Sequence, residues 1–334
     1  MTATSESKDI HIVRLYDAPL RAVWDAWTDP DQVAQWWGPR GFTLTTHSKD
    51  LRSGGSWVYT MHGPDGTDYP NKTQYLEVEP LAKLVYDHGG NDDRPPMFRV
   101  TVFFSEAGGK TRMDMTMSLP DAAAAQQTRA FVKQAGGNAT WDRLAEYLAK
   151  RWLGEDRFVI NRSFDAPLDV MFDMWTKPEH VARWMAPAGF DMHFVRADIC
   201  PGGSSLYRMT GPGITMYGRA QYEEIRRPDR IVYTQQFCDE HEQIARHPLA
   251  PVWPETMQTT VVLAAEGPHC TRVALTWQIV GPETADAMAV FVSARGGMTQ
   301  GWTGSFDKLE AALVGRSQGG SASPSDDSAR ASRV

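Results

Sequence analysis

The run HIVRLY (11–16) alternates apolar and polar residues, the period of a strand with one buried face. Pro19 then suits a first helical turn, where its missing N–H costs nothing. LRAVWDAW (20–27) places Leu20, Val23, Trp24 and Trp27 on one helical face. Asp29-Pro30 opens a second short helix, with Asp29 at the N-cap and Pro30 at N1; it presents Val33, Trp36 and Trp37 and stops at Gly38-Pro39. About six strands are predicted next, punctuated at Gly54-Gly55, GPDG (63–66), Glu79-Pro80, Gly89-Gly90 and Ala107-Gly108-Gly109. SWVYTM (56–61) turns Trp57, Tyr59 and Met61 to one face, and MDMTMS (113–118) does so with Met113, Met115 and Met117. A helical stretch over 121–150 closes the pattern.

The pattern then repeats. At an offset of 148 residues, Ile10–Phe42 falls on Phe158–Phe190 without a gap, and 16 of the 33 pairs are identical. AQWWGPRGF (34–42) becomes ARWMAPAGF (182–190), Gly54-Gly55 meets Gly202-Gly203, and Gln74-Tyr75 meets Gln221-Tyr222. Tyr207 and Met209 answer Tyr59 and Met61; Val273, Leu275 and Trp277 answer the three methionines. A period of a whole domain length is a duplication, not a solenoid. The expected units are 8–152 and 157–314, joined through RWLGED (151–156). The second carries an insertion around 239–254, and the Gly/Ser-rich end, 315–334, is expected to be a disordered tail.

Each unit thus orders strand, two short helices, about six strands and one long helix. A sheet with one apolar face must be covered, and the last helix is the only element long enough. The expected class is α+β: two curved antiparallel sheets, each wrapped around a long C-terminal helix. DAPLRAVWDAWTDPDQVAQWWGP, the GGSW strand start and TWDRLAEYLA, with DAPLDVMFDMWTKPEHVARWMAP, HPLAPVWPE and GWTGSFDKLEAAL in the second copy, resemble domains related to the C-terminal part of the Hsp90 ATPase activator (AHSA1 type). These belong to the helix-grip superfamily, START-like and Bet v 1-like (SRPBCC). The resemblance spans about 8–314. It implies a cavity between sheet and helix, on a scaffold that serves lipid carriers, hormone receptors and cyclases alike.

Composition narrows the partners. The 334 residues are 42% hydrophobic and 22% charged, an ordinary globular mixture, with net charge −7. No basic run exceeds Arg226-Arg227, so neither nucleic acid nor a membrane surface is an expected partner. Three cysteines without CxxC argue against a disulfide framework. There is no leader-like or membrane-length apolar run, and the cytoplasm is the expected compartment.

The chemistry is sparse. His241 and His247 stand six apart in a Pro-containing loop (Pro248, Pro254), a spacing that suits no helical metal pair, so no metal is expected. The loop matches the family's insert and reads as a lid or rim of the second cavity. There is no GxSxG and no repeated Ser/His/Asp or Cys/His set; no catalytic residue and no cofactor are assigned. The glycine pairs precede strands, so they read as turns rather than phosphate cradles. Trp24, Trp27, Trp36, Trp175 and Trp184 read as core. Trp37 and Trp57 become Met185 and Ser205 in the second copy, and such variable positions are candidates to line a pocket. The expected ligand wall is Trp37, Trp57, Tyr59, Met61, Met113, Met115 and Met117 in the first unit, and Tyr207, Met209, Val273, Leu275 and Trp277 in the second.

The leading expectation is binding of a small apolar molecule, with the two units packed as an intramolecular pseudo-dimer. An enzyme using Tyr59 or Tyr207 on a cavity-bound substrate is one alternative. A chaperone cofactor is the other. It is the lesser expectation, because the activator also uses a separate N-terminal domain and the first unit here begins near residue 8.

Overall fold

The computed structural model describes residues 7–91, 94–134, 139–152, 154, 157–247, 250–281 and 284–319. Pro248, parts of the junction and 320–334 fall outside that set. The first unit runs β1 (Asp9–Tyr16), α1 (Leu20–Thr28), α2 (Pro30–Val33), β2 (Thr43–Lys49), β3 (Ser56–His62) and β4 (Asp68–Glu79). It continues through β5 (Lys83–Gly90), β6 (Phe98–Ala107), β7 (Lys110–Ser118), α3 (Ala122–Gln134) and α4 (Ala139–Trp152). The second unit repeats the order with β8 (Arg157–Phe164), α5 (Leu168–Thr176), α6 (Pro178–Trp184), β9 (Asp191–Ala197), β10 (Ser204–Gly211) and β11 (Ile214–Arg226). β12 (Arg230–Cys238), β13 (Met257–Gly267), β14 (Cys270–Ile279) and α7 (Ala285–Gly319) complete it.

Each unit holds a seven-stranded antiparallel sheet, ordered β1-β7-β6-β5-β4-β3-β2 and β8-β14-β13-β12-β11-β10-β9. First and last strands pair, which brings the long helix back across the sheet. Register shifts at Thr46/Ser48, Lys72/Gln74 and Tyr75/Glu77, and again at Leu206/Tyr207 and Tyr222/Glu224, bend the sheets around their helices. Where the sequence reads one helical stretch over 121–150, the described residues form α3 and α4. In the second unit α7 continues through Gly319, past the point where composition places the start of the tail.

Local chemistry explains the shared framework. Asp29 accepts from the N–H groups of Asp31 and Gln32, capping α2, while Lys177 gives α6 no such cap. Trp36 and Trp184 donate their indole N–H to the carbonyls of Ala26 and Met174, locking the two short helices together in each copy. Thr111 and Thr271 donate to Ala18 and Ala166 at the strand–helix corner. Gly54 and Gly202 have φ of 82° and 78°, and a Cβ on Gly55 or Gly203 would lie 2.3 Å from the Asp50 or Asp198 carbonyl. These are turns that only glycine fits; Gln74 and Gln221 clasp them through their carbonyls.

The long helices anchor the tryptophan loops. Arg143 donates to the carbonyls of Gln35, Trp37, Gly38 and Pro39, and its counterpart Lys308 donates to those of Ala186, Pro187 and Phe190. Within the second unit Arg162 pairs with Asp307 and Glu310 on α7. Its counterpart Arg14, 2% exposed, instead reaches Glu266 of the other unit and Ser163 on β8. Arg40 forms a bidentate pair with Glu146 at 2.9 and 2.6 Å, and Glu146 accepts from the Asn161 N–H on β8. The residues that meet are therefore not equivalent in the two copies. β1, α4 and the Arg40 loop belong to one side; β8, β14 and the β13–β14 turn belong to the other.

Candidate functional site

The first unit's interior is an aromatic box. Trp27 from α1 lies parallel to Trp141 from α4, ring centres 5.2 Å apart and planes 8° apart. Trp37 meets Trp57 edge-on at 5.3 Å, and Trp57 stacks on Tyr59 at 4.0 Å. Such pairs contribute about 0.5–1.5 kcal/mol each beyond their buried area. A cavity remains, bordered by Trp27, Trp37, Trp57, Thr73, Tyr75, Leu84 and Tyr86. Its volume is about 10 Å³, room for roughly one water.

Polar atoms are few and unevenly satisfied. The Trp27 Nε1 is buried without a hydrogen-bond partner; Thr73 Oγ1 is buried near the Tyr59 hydroxyl without a well-formed bond. Burial raises the hydroxyls of Tyr59, Tyr75 and Tyr86 above their ordinary value, so they remain protonated donors. The Tyr59 hydroxyl lies 3.4 Å from His88 Nδ1, and burial pushes His88 down to about 4, a neutral imidazole. At the rim, Lys49 Nζ donates to the Trp27 carbonyl at 3.0 Å, near the C-terminal end of α1, and sits 4.0 Å over the Trp57 ring. Burial lowers its ammonium to about 7, with Asp29 opposing. The arrangement can grip a flat apolar group and offer it N–H and O–H donors. Among the described residues, no group of three or more His, Cys, Asp or Glu is placed to hold a metal ion.

Of the residues singled out by sequence, Trp37 and Trp57 border the cavity, and Tyr59 backs Trp57. Met61 lies at the box's edge, where a Cβ on Gly38 would come within 3.6 Å of its sulfur. Met113 and Met115 are fully buried in the core, and Met117 is partly buried at its margin. Thr73, Tyr75, Leu84 and Tyr86 were not singled out, and Trp27 was read as core. The repeat carried a signal for two of them: Tyr75 and Tyr86 recur as Tyr222 and Tyr233, and both recurrences lie on the inward face.

The second interior is built differently. Ser205, in the place of Trp57, is buried and bonds the Tyr222 hydroxyl at 3.1 Å. Trp277 packs against Trp302 of α7 and Phe158, while Val273 and Leu275 are fully buried. Tyr207 lies over Gly218, where a Cβ would come within 2.3 Å of its ring, and joins Met209 in a separate small cluster around Val181, Ala186 and Met192. The inserted loop lays Trp253 against Phe291 of α7, 5.8 Å between ring centres. His241 is exposed, and His247 packs edge-on against Phe237.

Two curved sheets closed by helices, in one chain, make this a tandem helix-grip protein of the α+β class. No helix among the described residues is long and apolar enough to cross a membrane. The chain belongs to the family described as Activator of Hsp90 ATPase homolog 1-like protein, whose model matches residues 17–149 and again 165–314. Similar solved structures include the protein Ms6760 from Mycobacterium smegmatis, 20% identical over 48% of this chain and 91% of its own, TM-score 0.40. A solution structure from Arthrobacter aurescens is 25% identical over 48% and 87%, TM-score 0.42. The AHSA1 protein from Silicibacter pomeroyi is 17% identical over 48% and 99%, TM-score 0.37. No curated protein matches the chain.

Proposed function

We propose that the first unit binds a small, flat, largely apolar molecule carrying a hydrogen-bonding group, held between the sheet and α4. The observation that supports this is the aromatic box with the Trp27 indole N–H buried inside it and unpaired. A donor in that position costs about 1–3 kcal/mol unless something accepts from it. The closed volume means that the guest enters by displacing Trp37 or Trp57, the two box tryptophans whose counterparts in the second unit are not aromatic.

Affinity can be bounded. A two-ring guest burying about 300 Å² gains about 7 kcal/mol. Association consumes at least about 4 of these, which leaves a millimolar dissociation constant. One good hydrogen bond to the guest adds about 1 kcal/mol and brings it to about 1 mM at best. Titrating 2-naphthol against naphthalene tests this by quenching of tryptophan fluorescence. The expected result is saturable quenching by 2-naphthol, at least about fivefold weaker with naphthalene, and lost in Trp27→Phe. Absence of quenching and of any melting shift up to the solubility limit would sink the reading.

The family match supports a second reading, a cofactor of an Hsp90-type chaperone. It expects co-purification with an Hsp90 homologue and a change in that partner's ATPase rate. An unchanged rate at saturating protein removes it.

A further inference from the structure

A second concavity, about 350 Å³, opens on the other side of α4, in the size range of small-ligand sites. Gln35 and Arg40 form one wall, the α4 stripe Arg143, Tyr147 and Lys150 the floor, and Thr299 of α7 the far side. The α4 residues fall at i, i+4 and i+7, one face of the helix. Three cations line it against one carboxylate, Glu146, in a chain whose net charge is −7.

The cations differ in what already occupies them. Arg40 is held bidentately by Glu146, and Arg143 by loop carbonyls. Lys150 is exposed and, among the described residues, has no ion-pair partner. Gln35, also exposed, lines the same groove. The Tyr147 hydroxyl donates to Gln32 and accepts from Arg151, which fixes its ring as a wall.

The duplication supplies an internal control. The 148-residue offset sets Arg40 on Ala188, and the register that sets Trp141-Asp142 on Phe306-Asp307 sets Glu146, Tyr147 and Lys150 on Ala311, Ala312 and Gly315. These four become small residues in the other copy, whereas Gln35 and Arg143 meet Arg183 and Lys308. Contact between the units accounts for Arg40 and Glu146. It does not account for Tyr147, whose hydroxyl bonds Gln32 and Arg151 of its own unit, or for Lys150, which pairs with no acid among the described residues.

We propose that this groove between the units binds a small organic anion, through a phosphate or carboxylate group seated on the Lys150 ammonium and the Gln35 amide, with the Arg143 guanidinium lining the same groove. Charge-assisted hydrogen bonds of this kind are about twice as strong as neutral ones. The site is independent of the aromatic box and stands or falls separately from it.

The test is isothermal titration of the full chain with inorganic phosphate and, separately, citrate, at low ionic strength. The expected result is one site per chain with a dissociation constant below about 5 mM for at least one probe, weakened by added NaCl. Lys150→Gln should weaken it at least about fivefold and Gln35→Ala by a smaller factor, while Lys110→Gln, on the remote β7, leaves it unchanged. Tighter phosphate points to a phosphate ester as the natural occupant, tighter citrate to a polycarboxylate. No saturable binding of either probe, or binding that Lys150→Gln leaves intact, overturns the proposal.

Discussion

Replacing Trp57 with alanine removes one wall of the aromatic box. The side chain is 2% exposed, stacks on Tyr59 at 4.0 Å, meets Trp37 edge-on at 5.3 Å, and donates from Nε1 to Thr46 at 3.1 Å. A tryptophan buries roughly 150–250 Å², worth about 5 kcal/mol at ~25 cal/mol per Å². Large-to-small changes at such sites cost about 3–5 kcal/mol, because the surroundings relax only in part. We expect about 4 kcal/mol, and for a unit of this size a melting point about 8–16 °C lower. The assay is thermal and urea unfolding followed by near-UV dichroism, with the two units read as separate transitions if they are resolved. The enlarged void should then accept indole: at tenfold excess over its dissociation constant, about 1.4 kcal/mol of the loss should return. A loss under about 1 kcal/mol, or no recovery with indole, would refute the closed-box account.

Other expectations follow from single contacts. Asp29→Ala should lose about 1 kcal/mol by uncapping α2, read as a shift in urea midpoint. Lys49 titrates near 7 in the folded protein and near 10.5 unfolded, so between these values the unfolded chain binds more protons and stability rises with pH. Lys49→Met should flatten that rise, and a melting-point series from pH 6 to 10 that is the same in both proteins would refute it. Arg14→Met strands Glu266 and Asp142 between the units and should cost about 3–5 kcal/mol, seen by calorimetry. Asp142 is pushed up to about 6 by burial, opposed chiefly by Arg14 and Arg272; stability should therefore fall as pH rises through about 4 to 6, and Asp142→Asn should remove that slope.

The fold was legible because duplication wrote it twice. A 148-residue offset aligned both short-helix pairs, and proline, glycine and cap residues marked boundaries that the structure places within a residue or two at Leu20, Pro30 and Pro178. The interior was less legible. Alternation could say which side of a strand Trp57 or Met115 faces, but not how much space the facing side chains leave. The cavity is bounded by residues such as Tyr75 and Tyr86 on middle strands, and alternation alone did not mark these as a lining. Arg14 shows the limit most clearly. It aligns with Arg162 and sits on the same inward face, yet one finds its acid on its own helix and the other across the junction. Nothing in the local pattern separates them. The polar groove spans two units and has no local signature at all.

The inequivalent contact between the two copies has a directional consequence. One unit presents α4 with Arg40 and Glu146, and the next offers the backbone of β8 to be clasped; such an arrangement could propagate as a chain of units, since each end differs from the other. The second unit, however, carries Ala188 and Ala311 where that clasp would have to be. The second unit is clasped through β8, but at these two positions it offers no charged pair of its own with which to clasp.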